Sequence, residues 1–244
     1  MAPMSIIPNK HLFIVTSTLN ANMGVFDYET RIRQTVDTLR ILREKVPEAI
    51  IVLTDSSPNV VDDSVVGQLS KYSNLNIMFQ QDRDLVTLAN AGLKSQAENV
   101  LLHKTLSLFK NNPDLMRVMS AVKRIYKLSG RTNLTDKFDI ARYDDPALYG
   151  KYTFKKRMYT WLPIDIIAAA NVDHLLITRM YSMCISLVDN YHNHVLPQMF
   201  KSMNEYGIDT EHAHYKHIDK QYLIEFDEIY CQGTMASTGM TETY

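Results

Sequence analysis

The chain has 244 residues and a formal net charge of −1, with 45% hydrophobic and 22% charged residues. This is ordinary globular composition with enough apolar side chain for a sizeable core. The near-neutral balance excludes a chain-wide basic field for nucleic acid or an anionic membrane, so any anion site must be local. The two cysteines, Cys184 and Cys231, make neither a disulfide framework nor a Cys/His zinc spacing. They read as reduced thiols of a cytoplasmic protein. Residues 1–10 lack a basic stretch followed by a long apolar run, so no signal peptide is expected. No stretch approaches the roughly 18 consecutive apolar residues of a transmembrane helix.

The apolar run at residues 12–15 predicts a buried first strand, ending at Thr16, Ser17 and Thr18. After a loop at 20–27, helical spacing of Ile32, Val36, Leu39, Leu42 and Val46 predicts a helix over 28–46, stopped by Pro47. Residues 49–53 are continuous and rich in β-branched side chains, as parallel strands buried on both faces tend to be. A polar turn at 54–58, a helix over 60–72 and a third strand at 76–79 complete a β-α-β-α-β order. That order implies a parallel sheet with right-handed crossovers. Helices follow at 93–110 and 113–120, then a fourth strand at 122–128. Residues 131–162 read as irregular, 172–178 as a strand, 179–206 as a long helix bent at Pro197, and 221–231 as a late strand. Residues 233–244 read as a polar loop or tail. With no internal repeat and no linker, a single α/β domain over 1–232 is expected.

Five groups of residues can carry chemistry. Thr16, Ser17 and Thr18 end the first strand and Arg31 lies one turn into the next helix, a set of hydroxyls and a guanidinium suited to a phosphate or a base edge. The same threonines also suit a capped turn. Asp55 ends the second strand, where an acidic residue commonly meets a nucleoside; it equally suits an Asx turn before Pro58. Lys94, Ser95 and Glu98 open a helix whose free N–H groups favour anions, although Lys94 and Glu98 are also spaced as a plain i, i+4 ion pair. Lys127, Ser129, Gly130, Arg131 and Asn133 cluster past the fourth strand, the end of an open α/β sheet where ligands bind. A glycine there lets backbone approach a ligand, and the guanidinium fork of Arg131 suits a carboxylate or phosphate. Glu211, His212, His214 and His217 form the fifth group, with no HExxH spacing; Glu211 or His212 suits acid–base work, and the segment equally suits a charged helical turn. The chain has no GxGxxG after its first strand and no P-loop, which counts against a dinucleotide oxidoreductase and a P-loop NTPase.

Taken in order, Ile14-Val15-Thr16-Ser17, Tyr28-x-x-Arg31-x-x-Gln34-Thr35, Ile51-Val52-Leu53-Thr54-Asp55, Lys94-x-x-x-Glu98, Tyr126-Lys127-Leu128-Ser129-Gly130-Arg131 and Glu211-His212-Ala213-His214-Tyr215 span most of the chain. The combination resembles a compact GT-A-type glycosyltransferase, of the kind found among bacterial and phage polysaccharide-modifying enzymes. The resemblance implies a Rossmann-like domain with a mostly parallel twisted sheet flanked by helices. It implies a nucleoside-diphosphate sugar donor, a uridine nucleotide by default, and hexosyl transfer to a saccharide or other hydroxyl acceptor. Thr16, Ser17, Arg31 and Asp55 would hold the nucleoside. Lys94, Glu98, Lys127, Ser129, Gly130 and Arg131 would lie near the ribose and phosphates, with His212 or His214 on the diphosphate. Glu211 would be the base, Asp189 the reserve, and Tyr159, Trp161 and Arg179 would shape the sugar pocket.

One departure bears on the cofactor. Ser129-Gly130-Arg131 falls where the family usually carries its Asp-x-Asp metal motif, and the carboxylates Asp136, Asp139, Asp144 and Asp145 come later. Either Arg131, with Lys127, neutralises the leaving diphosphate, the account favoured here, or Mn²⁺ or Mg²⁺ binds through ligands the sequence does not identify. Two rival classes are a non-catalytic nucleotide-binding or assembly protein that kept the fold, and a sugar-phosphate nucleotidyltransferase. The second resembles a class with a glycine-rich basic loop after its first strand, whereas residues 16–24 hold one glycine and no lysine or arginine.

Overall fold

The computed structural model describes residues 11–234 and 239–244. Residues 1–10, on which the signal-peptide expectation falls, lie outside the described residues. The first half follows the expected order with one helix added: β1 (His11–Ser17), α1 (Tyr28–Lys45), β2 (Ile50–Asp55), α2 (Asp63–Leu69), β3 (Leu75–Met78), α3 (Arg83–Asn90), α4 (Lys94–Asn111), α5 (Pro113–Ser120) and β4 (Arg124–Ser129). Asp27 starts α1 by accepting from the Thr30 N–H at 2.8 Å. Helix α2 is shorter than the expected 60–72. Helix α3 was not expected; Asp82 caps it, and Lys104 of α4 bridges Asp82 and Asp84 at 2.7 and 3.0 Å.

The second half departs from the sequence reading. The stretch read as irregular contains β5 (Thr132–Leu134), β6 (Tyr152–Lys155) and β7 (Met158–Tyr159). After α6 (Ile164–Ala170), the strand expected at 172–178 shrinks to β8 (His174–Leu175). The first residues of the expected long helix instead form β9 (Met180–Cys184), fully buried between β4 and β6 and antiparallel to both. Its polar member is held from two sides: Ser182 Oγ accepts from Arg124 at 3.0 Å and lies 2.5 Å from the Thr153 hydroxyl. Tertiary packing thus makes a strand from residues with no strong strand preference. Helix resumes as α7 (Val188–Asn190), widens into a π-helical segment at Tyr191–Val195 and continues as α8 (Leu196–Tyr206). The widening falls just before Pro197, which lacks an N–H and crowds the carbonyl four residues back. Then come α9 (Thr210–His217), β10 (Leu223–Phe226), β11 (Cys231–Thr234) and β12 (Thr241–Thr243). The segment read as a polar tail therefore returns as strand: β12 pairs with β11, β11 with β5, and Tyr244 is buried.

Among the described residues, seven strands form the central sheet in the order β10-β6-β9-β4-β1-β2-β3, all parallel except β9. The mostly parallel α/β architecture matches the expected class. Both faces are covered, which explains the unbroken apolar strands. Leu12 and Ile14 of β1 pack with Leu102, Leu106 and Phe109 of α4 on one face. Phe13 and Val15 alternate to the other, against Leu39 and Leu42 of α1. The carboxyl ends of β1, β2 and β4 therefore open together, beside the N-terminus of α4. No helix of the described residues is long and apolar enough to cross a membrane.

Candidate functional site: a basic cleft at the strand ends

At those strand ends lies a cavity of about 290 Å³. Thr16, Ser17 and Thr18 line one wall, Ser129, Gly130 and Arg131 another, and Lys94, Ala97 and Glu98 of α4 a third. Arg31 and Arg179 complete it, so four cationic side chains and one carboxylate face the same space. The arrangement suits an anion on charge alone.

The arginines differ in their engagement. Arg31 is buried and spends its guanidinium on backbone carbonyls of Phe26, Thr18 and Met23, at 3.0, 3.0 and 2.7 Å. It pins the loop that forms one rim. Burial lowers the Arg179 pKa, but Tyr244 and the carboxylates Glu211 and Glu98 outweigh burial and raise it. The side chain of Arg131 makes no hydrogen bond or ion pair with the described residues, and its buried Nε has no partner. Burial, reinforced by the charges of Arg31 and Arg179, pushes its guanidinium down to about 10. An unpartnered cation in a basic cleft is a group waiting for an anion.

Glu98 is the exception in sign, and the protein neutralises it internally. Its Oε1 lies 2.5 Å from the Lys127 ammonium and accepts from the Thr16 hydroxyl at 3.0 Å. Lys127 is buried and also donates to Ser129 Oγ and the Thr178 carbonyl, both at 2.8 Å. Burial raises the Glu98 carboxyl, but Lys127 and the Thr16 hydroxyl outweigh it and hold the group below its ordinary value. The alternative Lys94–Glu98 ion pair is replaced by this one, and Lys94 stays exposed at the helix start.

Gly130 has a different reason from the expected one. A Cβ there would stand 3.0 Å from the Thr16 carbonyl oxygen and 3.2 Å from Ser17 Cβ. Its N–H donates to the same Thr16 carbonyl at 2.7 Å. The glycine lets β4 close against β1 and so shapes the cleft, which it also lines.

Several expected contacts do not reach the cavity. Asp55 is fully buried, and its carboxylate accepts from Ser17 Oγ, the Leu19 N–H and the Ser57 N–H at 2.6, 2.9 and 2.8 Å. It ties the loops after β1 and β2 together, the turn role instead of the nucleoside one. His212 is buried between Asp209 (2.6 Å from Nδ1) and Thr160 (2.7 Å from Nε2). His214 is buried between the Thr210 carbonyl and the Tyr191 hydroxyl, at 2.7 and 2.8 Å, and burial lowers it to about 4. Both histidines brace α9 and neither lines the cleft. Asp189 pairs with Lys110 at 2.8 Å on an exposed surface. Lys110 is twelve residues along α4 from Glu98, about 18 Å.

Glu211 opens α9 and accepts from the Thr178 hydroxyl at 2.7 Å. Burial, helped by Asp209, raises its carboxyl above the usual range. It does not line the cleft, although Arg179, which does, lies within its electrostatic reach. Tyr159 and Trp161 stand outside, 82% and 64% exposed, with the Trp161 ring edge-on to His212 at 5.3 Å. Asn22, Met23, Ser56 and Leu101 also line the cleft without having been singled out as site residues, as does Thr35, which the sequence analysis quoted in a motif without a role. Only Thr35 carried a signal, since it lies four residues from Arg31 on the same helix face.

The donor set does not fit a divalent ion held by the protein alone. Among the described residues no three His, Cys, Asp or Glu side chains come together, and the one carboxylate lining the cleft is taken by Lys127. The later carboxylates serve elsewhere: Asp136 pairs with Lys45, Asp139 and Asp145 cap short turns, and Asp144 lies 3.5 Å from His11.

No protein-family model matches the sequence, and no curated protein matches it. Solved structures do match. The galactosyltransferase LgtC, solved in complex with donor and acceptor sugar analogues, is 7% identical with a TM-score of 0.54, covering 88% of this chain and 72% of that one. The mannosyltransferase Ktr4p from S. cerevisiae is 8% identical with a TM-score of 0.54, covering 90% of this chain and 70% of that one. The chain has the GT-A glycosyltransferase fold.

Proposed function

We propose that the protein is a glycosyltransferase that moves a sugar from a nucleoside-diphosphate sugar to an acceptor hydroxyl. The observation that carries the reading is Arg131, just past the carboxyl end of β4, whose buried Nε has no hydrogen-bond partner among the described residues. It stands in a cleft with three further cations, on a fold shared with a galactosyltransferase and a mannosyltransferase.

On this reading the diphosphate lies against Arg131, Arg179 and Lys94, with the free N–H groups of the α4 N-terminus adding partial positive charge. Thr18, Ser56 and Asn22 offer hydrogen bonds to the nucleoside, and uridine is the default base. The acceptor oxygen bonds to the anomeric carbon, the bond from that carbon to the diphosphate oxygen breaks, and the nucleoside diphosphate leaves with the electron pair. Arg131 and Arg179 stabilise the charge that develops on it, in the place of a protein-held metal. Glu211 takes the acceptor proton; its raised pKa makes it a stronger base than an ordinary carboxylate. Tyr159 and Trp161 offer exposed aromatic faces on the acceptor side, beside α9.

The test is release of nucleoside diphosphate from a panel of UDP- and GDP-sugars, with and without EDTA. Turnover of one donor, retained in EDTA, is expected. Replacing Glu211 with Gln should reduce turnover at least about a hundredfold, as for loss of a general base, while nucleotide affinity holds. Full activity in Glu211→Gln removes it as the base, and no turnover of any donor refutes the enzyme reading.

A further inference from the structure

A second cavity, of about 210 Å³, lies between the helix of α7–α8 and the segment after α9. It is distinct from the cleft. Tyr152, which lines it, is in register with Met183 of β9, and Met183 with Ile125 of β4. Gly130 is five residues further along, about 17 Å at strand rise. The cavity therefore opens toward the opposite end of the sheet.

Most of its lining side chains carry a polar group, Val195 is the apolar member, and Asp219 is the one carboxylate. Asn190, His194 and Gln198 follow one another at four-residue spacing and all reach it. They fall on or beside the π-helical turn at Tyr191–Val195, a distortion found often at functional sites. Asp219 and Tyr222 form the other side. Both oxygens of Asp219 accept from Gln221, at 3.0 and 2.6 Å, which orients the carboxylate and leaves it further lone pairs. No lysine or arginine lines the space. Tyr152 is 1% exposed, and its hydroxyl is buried with no hydrogen-bond partner. A buried phenol without a partner costs stability unless something supplies one.

We infer that this cavity is a second binding site, for a single neutral sugar ring. Amides, imidazoles and a carboxylate match the mixed donors and acceptors of sugar hydroxyls, and Tyr222 offers an aromatic face to a C–H surface. Lys151 lies 5.9 Å from the centre of the Tyr222 ring, so phosphate is the competing ligand that the test below must exclude. The inference does not depend on the reading of the cleft.

Saturation-transfer NMR on the whole protein, with glucose, galactose, mannose and N-acetylglucosamine as probes, tests it. At least one probe should receive transfer, and Tyr152→Phe combined with Gln198→Ala should weaken its binding at least about tenfold. Arg131→Ala should leave that signal unchanged. Tyr152→Phe alone removes only the unpartnered hydroxyl, so its unliganded melting temperature should hold or rise, which separates lost binding from lost folding. Inorganic phosphate should not compete. The assignment is overturned by absence of transfer to every probe, by a signal insensitive to the double variant or abolished by Arg131→Ala, or by competition from phosphate.

Discussion

Replacing Lys127 with Met probes the internal neutralisation that lets a carboxylate stand in a basic cleft. The ammonium is held by Glu98, Ser129 and the Thr178 carbonyl at 2.5, 2.8 and 2.8 Å. Removing one partner of a buried pair costs about 3–5 kcal/mol. The Glu98 side chain is 27% exposed, so water recovers part of that and about 2–4 kcal/mol remains. For a chain of this size the melting temperature should fall by about 4–16 °C. The cost should also depend on pH. In the native protein Glu98 has a lowered pKa, so the pair contributes stability above the unfolded value of about 4.3 and loses it as pH falls through the lower folded value. Without Lys127, burial raises the Glu98 pKa above its unfolded value. The variant then takes up a proton on folding and is relieved as pH falls. The gap between native and variant, measured by urea unfolding, should be widest near pH 7.5 and shrink toward pH 4.5. Adding Glu98→Gln should recover part of the loss, because no charge is then left unpaired. A gap under about 1 kcal/mol at pH 7.5, or one that is constant with pH, would refute the reasoning.

Two further substitutions separate shaping from binding. Gly130→Ala forces a Cβ to 3.0 Å from a backbone carbonyl, and a denaturant midpoint should register about 1–3 kcal/mol of overpacking; a neutral result would place the need for glycine elsewhere. Asp55→Ala strands two buried N–H donors and the part-buried Ser17 hydroxyl, so it should cost about 3 kcal/mol of stability. An unchanged melting temperature with weakened nucleotide binding would restore Asp55 to the ligand.

The first half of the fold was legible because its strands are buried on both faces and its helices keep strict apolar spacing. The strands β6 and β9 were not. Tyr152-Thr153-Phe154-Lys155 is short and half polar, and Met180-Tyr181-Ser182-Met183-Cys184 has no β-branched residue. Both are strands because their neighbours cover them. At the site, Thr16, Ser17, Ser129, Gly130 and Arg131, singled out at the strand ends, line one cavity. Asp55, His212 and His214 show the limit of such a reading. A polar residue past a strand or in a first helical turn serves a ligand or the chain's own backbone with the same sequence signature, and only packing decides. Asp189 was misplaced for a related reason: its helix was expected to begin at Arg179, nine residues before it does.

Calorimetric titration of UDP and GDP, in EDTA, into the native protein and Arg131→Ala tests the central claim most directly. The account predicts binding of one nucleoside diphosphate without metal and a loss of about 1.5–3 kcal/mol in the variant, the worth of a hydrogen bond to a charged group, with no loss of stability. Equal affinity in the two proteins, or binding that appears only with Mn²⁺, would contradict it.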